Sequence, residues 1–382
     1  MSVFIHRIET LVPPNTSSQE SAAQILGSWS DDPATARIIK HVFSRSGIQR
    51  RHSVVPDFTE PEKARLFRKN ADGQHIEPTT HERNRVFAEC AGPMTVELAR
   101  RLVDGRCGFR PEDVTHVITV SCTGFVNPGP DWRIVTELGL ASIVERYNLG
   151  FMGCYAAIPA LRMARQFCLA NPKAVVLVVS VELCSLHMQM QTNADTILAN
   201  ALFSDGAAGA LVSARTPQVG EPVLVLTDFM AALAPEGQGD MAWEIGNHGF
   251  NLVLSSYVPD VIEANLDRIV GDLLAPRGMS VCDIDLWAIH PGGKSILDKA
   301  EKSLALAPEQ IAAPRAVLRD FGNMSSATIL FVLRELLTST TTQKTITAMA
   351  FGPGLTIECG LLEVIPANSP SPAREADALV AK

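Results

Sequence analysis

Asp113-Val-Thr-His-Val-Ile-Thr-Val120 decides the reading of the fold, because the same figure returns at Asp283-Ile-Asp-Leu-Trp-Ala-Ile289. In each, an acidic turn residue runs into a short apolar stretch that reads as a buried strand. After a glycine-containing loop, each is followed by a segment expected to open a helix: Gly153-Cys154-Tyr-Ala-Ala-Ile in the first case, Gly322-Asn323-Met-Ser-Ser-Ala in the second. Val117 to Cys154 and Leu286 to Asn323 span the same number of positions. Another apolar strand follows each helix, Ala174 to Val181 and Thr345 to Ala350, and then a glycine-flanked one, Gly206-Ala-Ala-Gly-Ala-Leu-Val-Ser213 and Gly354-Leu-Thr-Ile-Glu-Cys-Gly-Leu-Leu362. This repeated order predicts an α/β fold made of a duplicated unit, with layered mixed sheets covered by helices. The halves are placed at 1–215 and 216–366, and the Pro-, Ser- and Ala-rich tail, 367–382, is expected to be disordered.

Outward from that core, Ser17-Ser18-Gln-Glu and Asp31-Asp32-Pro33 are start signals for two N-terminal helices, the second carrying Ile38, Ile39, Val42 and Phe43 on an apolar face. The 382 residues are 46% hydrophobic, enough for a substantial core. A net charge of -8 argues against a nucleic-acid binder, which needs a concentrated surplus of Lys and Arg. The N-terminus meets charge and Pro13-Pro14 before any signal-like apolar run builds, and no apolar run is long enough to cross a bilayer, so a cytoplasmic protein is expected. Eight cysteines are scattered singly without metal-ligand spacing, which suggests neither zinc nor a disulfide framework.

Three residues stand where chemistry is favoured. Cys154 falls at or near a helix N-terminus, where unpaired N–H groups and the helix dipole would stabilise a thiolate. His290 ends an apolar strand and enters Pro291-Gly292-Gly293, where a side chain emerges at a sheet edge and backbone approaches a ligand closely. Asn323 has two readings, a helix cap or an amide donor to an oxygen that becomes negative during reaction.

Four motifs in order, Gly153-Cys154-Tyr-Ala-Ala, Ile289-His290-Pro-Gly-Gly, Phe321-Gly-Asn323-Met-Ser-Ser-Ala and Phe351-Gly-Pro-Gly, make the chain resemble the chalcone synthase family over nearly its whole length. The resemblance implies a thiolase fold of two pseudo-duplicated αβαβα halves in a homodimer, with Cys154, His290 and Asn323 as the catalytic set. It implies a type III polyketide synthase: Cys154, as an ion pair with His290, takes a starter acyl group from acyl-CoA, and malonyl-CoA extends it by decarboxylative condensation before ring closure. It calls for no metal or redox cofactor, only CoA thioesters as substrates.

By the same resemblance, Phe203 matches a phenylalanine between the CoA tunnel and the reaction cavity, and Leu252 its partner, Phe250 being selected by a shift of two. Thr123, Cys184, His187 and Trp243 fall on cavity-lining positions where the plant enzymes carry small or hydroxylated side chains, a pattern closer to bacterial makers of alkylpyrones and alkylresorcinols. A fatty acyl starter is the expectation. Arg45 matches a position that contacts CoA phosphate; Ile38 and His41 occupy the two upstream basic positions, with Lys40 as a substitute. Gly292, Gly293 and Gly354 are read as ligand-side glycines, and Ala350 replaces the first glycine of the family's final motif. Asn127 stands where the plant enzymes reach into the neighbouring subunit's cavity. Competing readings are an initiating ketoacyl-acyl-carrier-protein synthase, which shares the fold, and a non-catalytic acyl-CoA-binding protein.

Overall fold

The computed structural model describes residues 1–367, so the expected tail lies, from residue 368 onward, outside the described residues. In chain order the strands of the first half are β1 (Phe4–Leu11), β2 (Asn15–Ser18), β3 (Arg50–Ser53), β4 (His116–Ser121), β5 (Glu145–Gly150), β6 (Val175–Leu183) and β7 (Asp205–Ser213). Those of the second are β8 (Val223–Leu233), β9 (Met241–Gly246), β10 (Gly249–Leu254), β11 (Leu286–Ile289), β12 (Lys344–Gly352) and β13 (Thr356–Ile365).

The repeated sequence figure is a repeated pairing scheme. From β4 the sheet runs parallel to β6, antiparallel to β7 and antiparallel to β1. From β11 it runs parallel to β12, antiparallel to β13 and antiparallel to β8. β5 is an additional edge strand parallel to β4. β1 and β8 join the halves into one nine-stranded sheet through two residue pairs, Phe4 with Val225 and Ile5 with Leu224.

Apolar residues run nearly unbroken along the central strands, pointing to either side in turn, because both faces of the sheet are covered. Val176 and Val178 of β6, with Ile346 and Ala348 of β12, pack against the helices Ala157–Ala170 and Thr328–Ser339, which form a layer shared by the two halves. Val175, Leu177 and Val179 face the long helix Thr80–Leu102 on the outside of the first half. Met349 and Phe351 face Val258–Leu274 and Lys294–Ser303 on the outside of the second. The layers therefore run helix, sheet, helix, sheet, helix, as the resemblance implies. Among the described residues no helix is long and apolar enough to cross a membrane.

Both N-terminal helices start where their caps stand. Ser18 accepts the Ser21 N–H at 3.0 Å ahead of Gln19–Gly27, and Asp32 accepts the N–H groups of Ala34 and Thr35 at 3.0 Å ahead of Pro33–Arg45. Ile38 departs from its expected place: Ile39 and Phe43 are buried, whereas Ile38 is 52% exposed. The buried stripe is centred on the 39/43 pair, one turn apart, and leaves Ile38 on the solvent side.

Arg83, on the Thr80–Leu102 helix, is fully buried and ties the segment after β6 to the core. Its guanidinium donates to the Pro78 carbonyl at 3.0 Å, the Met188 carbonyl at 2.7 Å and the Leu186 carbonyl. Arg83→Met leaves these buried acceptors without donors and is expected to lower unfolding stability by roughly 2–4 kcal/mol. Denaturant titration checks it, and a midpoint equal to that of the parent chain would show that the carbonyls find other donors.

Candidate functional site

Cys154 sits in the turn before the helix Ala157–Ala170 rather than within it. The turn is held by a close interlock with the segment after β12. Gly153 has φ +98°, and a Cβ there would stand 2.3 Å from Pro353 Cδ, while a Cβ on Gly352 would stand 2.4 Å from the Tyr155 ring. Only glycine meets both the backbone angle and the spacing. Gly153→Ala must displace Pro353 and is expected to cost roughly 1–3 kcal/mol of stability and to lower turnover about 100-fold. Thermal unfolding and steady-state rates read the two effects separately, and parent-like values for both would refute the interlock.

His290 follows β11, with its backbone N–H donating to the Met349 carbonyl at 2.7 Å. The imidazole is buried, and neither ring nitrogen has a hydrogen-bond partner among the described residues. Burial pushes it down from its ordinary value to about 3. Such an arrangement is costly for a polar group unless a ligand supplies the missing bonds.

Asn323 uses both ends of its amide. The oxygen accepts the Ser325 N–H at 2.9 Å and caps the short turn Ser325–Ala327, while the NH2 donates to the Gly292 carbonyl at 3.1 Å in the loop after His290. Its backbone is pinned to the first half as well: the Asn323 N–H donates to the Leu202 carbonyl and the Ser204 N–H to the Asn323 carbonyl, both at 2.9 Å. Phe203 is thereby fixed beside Asn323.

Cys154, His290 and Asn323 line one pocket. Phe203, Leu252, Thr123, Cys184, Trp243 and Gly292 line it too, as expected. Sequence reasoning missed Met241, Leu254, Ile296, Phe351, Pro353 and Ser325. Ser325 was present in the quoted asparagine motif, but nothing in that motif announced a side chain facing the sulfur. Burial pushes the Cys154 thiol up to about 11; the Ser325 side chain opposes this, Glu182 adds to it, and the Asn323 side chain opposes it again. Burial thus opposes the helix-end effect read from the sequence.

Five expected ligand-side residues stand elsewhere. His187 lines an adjoining, more polar pocket that shares Cys184, Phe203, Trp243 and Leu252 with the first as a common wall. Both its nitrogens are engaged: Nε2 donates to the Thr123 carbonyl at 2.7 Å, Nδ1 accepts the Phe250 N–H at 3.2 Å, and the ring stacks on Phe250. Burial, first among the causes, pushes it down to about 3, so it works as a neutral staple. Phe250 lines this second pocket and Leu252 lines both, which places Leu252 in the pocket of Cys154, His290 and Asn323. Gly293 backs onto Leu202, and Gly354, with φ +68°, serves the turn between β12 and β13 while Phe351 and Pro353 take the pocket side. Lys40 and Arg45 are exposed on the Pro33–Arg45 helix, Lys40 bordering a separate groove with Gln19, Gln24 and Ser44.

The sequence model of the N-terminal domain of chalcone and stilbene synthases matches residues 4–216, and that of the C-terminal domain matches residues 226–366. The alpha-pyrone synthesis polyketide synthase-like protein Pks18 of Mycobacterium tuberculosis is 33% identical over 368 residues, covering 94% of this chain and 91% of the relative. Among solved structures, PKS-I of the brown alga Ectocarpus siliculosus superposes with a TM-score of 0.87 at 30% identity, over 95% of this chain and 98% of that one. The 1,3,6,8-tetrahydroxynaphthalene synthase of Streptomyces coelicolor, a bacterial type III polyketide synthase, gives 0.83 at 26% identity, over 94% and 98%.

Proposed function

Since the chain belongs to the chalcone and stilbene synthase family and is a type III polyketide synthase, an acyltransferase-type enzyme, we propose that Cys154, His290 and Asn323 carry its chemistry in the shared pocket. The observation that carries this reading is the tie from the Asn323 amide to Gly292, which sets a fixed donor beside an imidazole with both nitrogens unengaged by the described residues. His290 takes the Cys154 proton as the sulfur attacks the starter acyl-CoA, and the departing CoA thiolate is protonated in turn. Malonyl-CoA then loses CO2, and the enolate oxygen is met by N–H donors from His290 and Asn323 in a largely apolar surrounding. The enolate carbon attacks the Cys154 thioester, the chain returns to sulfur for further rounds, and cyclisation releases a pyrone, resorcinol or related product.

Met241, Leu252, Leu254, Ile296 and Phe351 offer the starter apolar contacts, which favours a fatty acyl group. Lys40 and Arg45, on an exposed helix face, are suited to CoA phosphates, and no metal or redox cofactor is assigned a role. Mass spectrometry of products formed from acyl-CoA starters of increasing length with malonyl-CoA tests the reading. Long-chain starters are expected to give the largest yield; reaction with malonyl-carrier protein alone would overturn it in favour of a carrier-dependent synthase.

The homodimer belongs to the same proposal. Phe125, Val126 and Trp132 expose apolar surface around the exposed Asn127, a patch that a second copy of the chain would cover. Phe125→Asp is expected to shift the protein from dimer to monomer in sedimentation velocity. A parent chain that already sediments as a monomer would remove the proposal.

A further inference from the structure

Behind the thiol lies a carboxyl group that the proposed reaction does not use. Glu182 belongs to β6, is completely enclosed, and has no cationic side chain at ion-pair distance among the described residues. One of its oxygens accepts the Cys122 backbone N–H and the Thr123 hydroxyl, each at 3.0 Å; the other accepts the Ser326 hydroxyl, which also bonds Ser180 at 2.7 Å. Each donor belongs to a different part of the site. The Cys122 sulfur accepts the Gly153 N–H at 2.9 Å, one residue before the nucleophile. Ser326 lies in the turn that the Asn323 side chain caps. Thr123 lines the pocket and its hydroxyl accepts the Leu183 N–H at 2.9 Å, closing the loop back onto the strand.

Packing alone does not call for a carboxyl group here. A carboxylate enclosed without a counter-cation is expensive to bury, and its compensation comes wholly from these donors. We propose that Glu182 is a positioning residue for the nucleophile: it clamps the loops that bear Cys154 and Asn323 and sets a negative charge beside the thiol. Burial raises Glu182 to about 7, with Ser326, Cys122 and Thr123 opposing, so the group is divided between its two charge states near neutral pH. The titratable groups that feel it are thiols: Cys122, Cys154 and Cys184 are each raised, first by burial and then, among charges, by Glu182.

The proposal rests on Cys154 being the nucleophile, and two substitutions separate clamp from charge. Glu182→Asp keeps the charge but shortens the reach; kcat is expected to fall about tenfold, KM to stay within about twofold, and the pH profile of iodoacetamide labelling at Cys154, read by peptide mass spectrometry, to match the parent. Glu182→Gln removes the charge; labelling at pH 8 is expected to rise about tenfold, the equivalent of one pH unit in the thiol. A Glu182→Gln chain that labels at the parent rate across the pH series overturns the charge half. Where that chain does not fold, Ser326→Ala unties the carboxylate from the Asn323 turn, and a parent-like kcat there overturns the clamp. Labelling of Cys154 that leaves activity intact is a different result: it sinks the nucleophile assignment itself.

Discussion

Cys154→Ala is expected to lower product formation by about a thousandfold or more while leaving acyl-CoA binding largely in place. The loss is large because nothing else in the pocket can take the sulfur's place. Cys122 is held by its bonds to Gly153, its thiol is pushed well above the ordinary range by burial, and Cys184 sits in a similarly enclosed wall. The apolar lining that would hold a starter, Leu252, Leu254 and Ile296, does not depend on the sulfur. Intact-protein mass spectrometry after incubation with an acyl-CoA should show an acyl adduct on the parent chain and none on the variant. A variant that still condenses malonyl-CoA onto a starter would end the covalent scheme.

His290→Ala carries the second large effect, a loss of about 10²- to 10³-fold in the decarboxylation of malonyl-CoA, because one donor to the enolate oxygen disappears from a dry pocket. Acylation of Cys154 should slow as well, since a thiol held at about 11 by burial needs a base to react at neutral pH. The two steps are separable: release of acetyl-CoA from malonyl-CoA reports the first, and the rate of acyl-adduct formation the second. Decarboxylation at the parent rate would mean that Asn323 and backbone groups suffice, and His290 would then be reduced to the role of base.

The parts of the fold legible in the sequence are those whose burial leaves no ambiguity of period. Ala174 to Val181 and Thr345 to Ala350 read as strands because they are covered on both faces and apolar throughout, and β6 and β12 contain them. β1 gave no such signal: Phe4-Ile-His-Arg-Ile-Glu-Thr-Leu mixes charge with apolar residues, yet it lies between β7 and β8 at the seam of the sheet. Its Arg7 and Glu9 pair with each other toward one end, while Phe4, Ile5 and Ile8 are buried. The hairpin β9–β10 was invisible for a related reason, since half of it forms pocket wall and half meets solvent.

At the site, the backbone dictates where the motif side chains of Cys154, His290 and Asn323 stand, and the three line one pocket. Sequence position misleads where a neighbour decides. His187 was assigned to the cavity by position, but the Phe250 backbone and ring draw it into the adjoining pocket. The surroundings of the sulfur follow the same principle: a helix end is local and readable, whereas the enclosure of the sulfur is made by residues far apart in the chain.

The division of labour across the seam at β1 and β8 has a consequence for the growing chain. Cys154 is synthesised with the first half, and His290 and Asn323 arrive more than a hundred residues later. A ribosome that stops early, or a second half that folds badly, leaves Cys154 without His290, Asn323 and the second-half side chains that enclose it. Completion of the polypeptide is thus the event that assembles the pocket, since neither half holds its full lining.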